Sequence, residues 1–147
     1  EREITRLRIK GKTAISDFSW ASDFLEREQV PIKEVHVTEV PDDPNPSRAS
    51  FIVSSPNIYG WTEIKAKMEQ HLGDAVQFDT HLSALSLIGE GLNRDNSTLL
   101  EAITLLEQHG IPIAGVTTTS FRISLLVPRE NIDESVRLCH GKWVAET

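Results

Sequence analysis

Gln29-Val-Pro-Ile-Lys-Glu-Val-His-Val37 and Gly110-Ile-Pro-Ile-Ala-Gly-Val-Thr-Thr118 decide the fold, because the second stretch repeats the first. The repeat extends on both sides. Arg48-Ala-Ser-Phe-Ile-Val-Ser54 is echoed by Phe121-Arg-Ile-Ser-Leu-Leu-Val127, and the helix-like segment Asn57–Leu72 by Asn131–Val144. Ala21–Gln29 and Leu99–Gly110, also helix-like, precede the two copies. A fixed internal repeat signals a duplicated structural unit. Modules of this kind usually sense or bind rather than catalyse.

Working outward, Ile4–Ile9 alternates apolar and polar residues, the period of a strand with one buried face. Thr13–Phe18 reads as a second strand, and Trp20, Phe24 and Leu25 then follow at helical spacing. Pro31 forbids a continuing helix, and Ile32, Val35 and Val37 predict the next strand. Pro41-Asp-Asp-Pro-Asn-Pro46 is the loop of a hairpin completed by Ala49–Ser54. Ile58, Trp61, Ile64, Met68 and Leu72 mark a helix stopped by Gly73. Ala75–Leu82 and Ala84–Ile88 are two adjacent strand candidates. Thr98-Leu-Leu-Glu101 has capping-box spacing, Leu99, Leu100, Ile103 and Leu106 line one helix side, and Gly110 ends that helix. Ile111–Thr119 and Phe121–Pro128 form a second, tighter hairpin. Ile132, Val136 and Leu138 begin the last helix, with Trp143 near its end.

Each half therefore runs strand, helix, strand, strand, helix, with a further strand available. That is the βαββαβ order of a ferredoxin-like sandwich, an α+β fold whose antiparallel sheet carries its helices on one face. The division expected is 1–82 and 83–147, two modules in tandem whose paired sheets offer crevices for small molecules.

Bulk properties exclude several functions. A formal charge of −7 argues against a nucleic-acid backbone as partner, which favours a basic face. No apolar run is long enough to span a bilayer. Glu1-Arg-Glu-Ile carries neither a signal peptide nor an initiator Met, and reads as the start of a piece of a longer chain, cytoplasmic in setting. Cys139 is the only cysteine, so neither an intrachain disulfide nor a thiolate metal site is expected, and its helical position suits a small buried hydrophobe. His36, His71, His81, His109 and His140 are scattered and predict no metal site. Gly89-Glu-Gly91 lacks the further glycine and the lysine of a phosphate loop and reads as a turn.

The second half carries a family resemblance. Ile88-Gly-Glu-Gly91, Thr117-Thr-Thr119, Arg122-Ile-Ser124 and the closing Val136-Arg-Leu-Cys-His140 resemble elements of the C-terminal regulatory region of aspartate kinases. The resemblance implies two ACT domains in tandem, modules that bind amino acids at interfaces between paired copies. It further implies lysine or threonine as effector, a homodimer, and a separate N-terminal kinase domain that phosphorylates aspartate. ATP and magnesium belong to that absent kinase domain; this region needs no cofactor and has no catalytic residue of its own. The family's effector-contacting glutamine falls near Val37 and Thr38, and its asparagine-isoleucine pair falls on Pro112 and Ile113.

Free amino acids present a carboxylate and an ammonium, which suit backbone N–H groups at a helix start and carboxylate oxygens respectively. Two expected strand-to-helix turns offer both: Asp17, Phe18, Ser19 and Trp20 in the first module, and Asp95, Asn96 and Ser97 in the second. Ordinary polar turns and helix caps use the same residues, so that alternative stays open. Thr117, Thr118 and Thr119 offer hydroxyls to an interface site, or simply suit a strand. A module of the same fold that has lost its ligand is the competing reading of the whole chain, and an amino-acid sensor of another metabolic enzyme is a further one.

Overall fold

A computed structural model describes residues 3–11, 14–38, 47–55 and 58–143. The elements are β1 (Ile4–Gly11), α1 (Ala14–Arg27), β2 (Lys33–Thr38), β3 (Ser47–Val53), α2 (Trp61–Leu72), β4 (Val76–Ile88), α3 (Ser97–Gln108), β5 (Gly115–Thr119), β6 (Arg122–Pro128) and α4 (Ile132–Trp143). The chain divides into two compact units, Ile4–Thr80 and a second beginning at His81, so that β4 contributes its first residues to one and the rest to the other.

In the first unit the strand order is β2-β3-β1-β4. β3 runs antiparallel to both β1 and β2. Alternation decides which face is covered. Leu7 and Ile9 of β1 and Ala49, Phe51 and Val53 of β3 point to one side and are buried with Ala14, Ala21 and Leu25 of α1 and Ile64, Met68 and Leu72 of α2. Phe18 meets Phe51 edge-on, with ring centroids 5.8 Å apart. Arg6, Arg8 and Lys10 occupy the alternate positions on the other side.

The second unit repeats the plan with order β4-β6-β5. Ile123, Leu125 and Val127 stand where Ala49, Phe51 and Val53 stand in the first. They pack with Leu85, with Ala102 and Leu106 of α3, and with Ile132 and Cys139 of α4; Trp143 lies against this core. Among the described residues this unit has three strands to the first unit's four.

The duplication reaches the level of single hydrogen bonds. Helix α1 ends with Val30 N–H donating to Leu25 O (2.8 Å) and Gln29 N–H to Glu26 O (3.1 Å). Helix α3 ends with Ile111 N–H donating to Leu106 O (3.0 Å) and Gly110 N–H to Glu107 O (3.0 Å). Both are Schellman motifs, with a left-handed residue, then an apolar residue closing on the helix, then proline. The left-handed residue is Gln29 (φ 61°) in one copy and Gly110 (φ 70°) in the other.

Three sequence expectations are corrected. Thr13–Phe18 is not a strand: α1 begins at Ala14, and Ala14, Phe18, Ala21 and Leu25 form a helical stripe toward the core. Ala75–Leu82 and Ala84–Ile88 are one strand of 13 residues, because Ser83 is wholly buried and has an interaction partner, so it does not interrupt the ladder. Ile111–Ala114 precedes β5 rather than belonging to it, because Pro112 follows the helix stop. The hairpin loop at 41–46 lies outside the described residues, as does the expected helix start at Asn57.

Candidate functional site

Topology sorts the candidate residues by end of the sheet. β1 and β2 both run antiparallel to β3, so they finish at the same end, where Lys10, Arg48 and Thr38 form one row across the three strands. Helix α1 starts from that end. Val37 and Thr38 therefore share it with the first turns of α1, which hold Asp17, Phe18 and Ser19. The second unit has the matching row, Ile88, Arg122 and Thr119, with α3 starting from the same end. Here the contact is direct: the Asn93 side-chain amide donates to Thr119 O and to Arg122 O (3.0 Å). Thr119 thus lies beside the turn that leads to Asp95, Asn96 and Ser97, while Thr117 and Thr118 lie farther along β5, opposite Ser124 and Ile123.

Individual side chains differ from the expectation of open polar turns. Asp17 to Trp20 lie within α1, not in a loop. Phe18 belongs to the core, and Trp20 stacks between Phe24 (5.2 Å) and His71 (3.7 Å). Asp95 is engaged by its own helix start: its Oδ1 accepts from Ser97 N–H (2.9 Å) and Ser97 Oγ–H (2.6 Å). The Ser97 hydroxyl and amide bonds together hold this carboxyl below its ordinary range. Asn96 occupies the cap position without a side-chain bond to the helix, so Asp95 supplies the anion that the capping-box reading assigned elsewhere. Pro112 and Ile113 lie at the opposite end of the sheet, in the segment between the α3 stop and β5.

The end of the first unit where β2 begins holds a cavity that the sequence reading did not name. It has a volume of about 620 Å³ and is lined by the helix-stop segment Glu28–Lys33 with Ser54, Ile58 and Tyr59. Its walls combine the apolar Val30, Ile32 and Ile58 with the charged Glu28 and Lys33 and the Ser54 hydroxyl. Pro31 and Ile32 are the repeat partners of Pro112 and Ile113. The duplication itself was the signal: carrying the Pro112-Ile113 candidates back by one repeat lands on this wall.

Each unit also ends in an edge strand, β2 in the first and β5 in the second. Val35 and Val37 of β2 and Val116 of β5 are exposed. Unpaired edges of this kind are templates for pairing with another chain. Among the described residues no group of three or more His, Cys, Asp and Glu side chains is placed to hold a metal ion, and no helix is long and apolar enough to cross a membrane.

Known proteins resemble this arrangement throughout. The regulatory subunit of aspartate kinase from Thermus thermophilus, in a ligand-free form, superposes with a TM-score of 0.78 at 16% identity, covering 97% of this chain and 94% of that one. Crystalline aspartokinase α and β subunits give 0.75 at 15% identity, with 96% and 93% covered. Aspartokinase III of E. coli, in complex with lysine and aspartate, gives 0.68 at 17% identity, with 97% of this chain but 31% of that one covered. In sequence, an aspartokinase of Corynebacterium efficiens is 28% identical over 83 residues, 55% of this chain and a fifth (20%) of the relative. No family model matches. The chain has the tandem ACT fold of aspartokinase regulatory regions.

Proposed function

We propose that the chain is an allosteric regulatory region that binds a free amino acid, lysine or threonine, and controls phosphorylation of aspartate by a separate kinase domain. The observation that carries this reading is the cavity at Glu28–Lys33 in a tandem ACT fold. Glu28 offers a carboxylate to an ammonium group. Lys33 and the Ser54 hydroxyl suit a carboxylate, and Val30, Ile32 and Ile58 suit an aliphatic stem. The volume is ample for one amino acid.

Regulation is then a coupling free energy, typically about 1–3 kcal/mol. The effector favours one arrangement of paired modules, and the attached kinase domain follows. The exposed edge strands β2 and β5 suit such pairing in a homodimer. They also suit the second reading, a pairing module without a ligand, which the self-satisfied Asp95 favours in the second unit.

Titration calorimetry of the chain with lysine, threonine and a panel of other amino acids separates the two. Saturable heat that weakens in Glu28→Gln supports the effector reading. No heat with any amino acid, together with a dimer that is insensitive to ligand, refutes it in favour of the pairing module.

A further inference from the structure

The chain is acidic overall, with a formal charge of −7, yet one surface of the first unit gathers cations. Arg6, Arg8 and Lys10 alternate along β1 on the side turned away from α1 and α2, and Arg48 of β3 stands directly opposite Lys10. Like charges placed across a strand pair repel, so this arrangement is not a product of sheet stability. Asp79 of β4 joins this cluster, and both of its carboxylate oxygens are engaged. It accepts from Arg6 Nε (2.9 Å), Arg8 Nε (2.7 Å) and Arg8 Nη2 (2.9 Å). Among the described residues, Lys10 and Arg48 have no ion-pair partner. Among the described residues, Lys10 and Arg48 thus add two positive charges to this surface beyond those that Asp79 engages.

The surface is also shaped. A hollow of about 250 Å³ is lined by Arg8, Lys10, Arg48, Ala49, Ser50 and Gln77. It therefore combines a guanidinium fork and an ammonium that have no ion-pair partner among the described residues with a hydroxyl and a side-chain amide, around a space suited to a small anion. From this convergence we infer that the helix-free face of the first unit binds a divalent oxyanion, a phosphate group, between Lys10 and Arg48. Lysine and threonine are poor matches, because neither brings net negative charge to offset the excess. A second copy of this face is excluded by the same argument, since it sets cations against cations.

The test is titration of the intact chain with inorganic phosphate at low salt, followed by amide chemical shifts. Glycerol 3-phosphate serves as an ester probe and acetate as a monovalent control. Saturable shifts centred on Lys10, Arg48 and Ser50 are expected for phosphate, weaker for acetate, and reduced about tenfold or more in Lys10→Ala/Arg48→Ala. Raising the salt to physiological strength weakens binding further. Preference for the ester assigns a phosphorylated metabolite, and equal binding assigns free phosphate. Both replaced side chains are exposed, so the double variant keeps or gains melting temperature as the repulsion between Lys10 and Arg48 is removed. Shifts scattered over all cationic side chains, or binding unchanged in the double variant, overturn the inference. Because lysine and threonine are not ligands here, silence in the amino-acid titration leaves this result standing, and the reverse holds too.

Discussion

The paired helix stops give the cleanest quantitative test of the duplicated architecture. Gly110 and Gln29 occupy the same position in two copies of one motif, both left-handed, at φ 70° and φ 61°. A left-handed residue other than glycine carries a penalty of about 1–2 kcal/mol. Glycine gives back about 0.5–1 kcal/mol through its greater freedom in the unfolded chain. The balance predicts that Gly110→Ala destabilises the second unit, and that Gln29→Gly stabilises the first, by about 0.5–1 kcal/mol each. Steric overlap does not confuse the first number, because a Cβ built on Gly110 meets no atom within 4 Å. For units of this size the melting temperature moves by about 2–8 °C, down in one variant and up in the other. Scanning calorimetry of both variants reads this directly, with urea midpoints as a check. A neutral Gly110→Ala refutes the left-handed helix stop. A loss of several kcal/mol refutes the open surroundings. A destabilising Gln29→Gly denies that the two motifs are equivalent.

Two further predictions rest on individual side chains. Burial alone pushes the Asp79 carboxyl up, but hydrogen bonds and charge from Arg8 and Arg6 outweigh it and hold the group below its ordinary value. The stabilisation is therefore complete above the unfolded carboxylate's range, near pH 4, and is lost as pH falls through the lower folded value. Asp79→Asn costs about 1–2 kcal/mol at neutral pH, discounted for the half-exposed Arg8. Its melting-temperature deficit should be constant from about pH 7 to 5 and should shrink below about pH 4; a pH-independent deficit contradicts the ion-pair origin. Cys139 is 3% exposed, and burial pushes its thiol above the usual range. A thiol reagent at mildly alkaline pH should react orders of magnitude more slowly with the native chain than with the urea-unfolded one, and comparable rates would show that α4 does not pack its Cys139 face against the core.

Much of the fold is legible in local sequence because it rests on short-range periodicity. The alternation of Ile4–Ile9, the stripes of α2 and α3, and the glycine stops at Gly73 and Gly110 each need only neighbours a few residues apart. The Thr13–Phe18 error has the same root. Ala14 to Phe18 is too short a window to separate the two periods, and only the longer stripe Ala14, Phe18, Ala21 and Leu25 reveals a period of 3.6. Ser83 misled for a different reason, since a buried hydroxyl breaks a strand only when nothing receives it.

The candidate sites divide along the same line. The repeat determined from sequence that there are two units of one kind, and it already contained the Pro31-Ile32 and Pro112-Ile113 pair. Tertiary structure alone decided that Asp95 spends its carboxylate on Ser97, that Asp79 reaches back more than seventy residues to Arg6 and Arg8, and that Lys10 faces Arg48. Side-chain pairing across a sheet depends on register, and register is set by the sum of all inward packing rather than by any local pattern. A one-residue slip of β3 would turn Arg48 toward the core and dissolve the cationic row, with every local propensity unchanged.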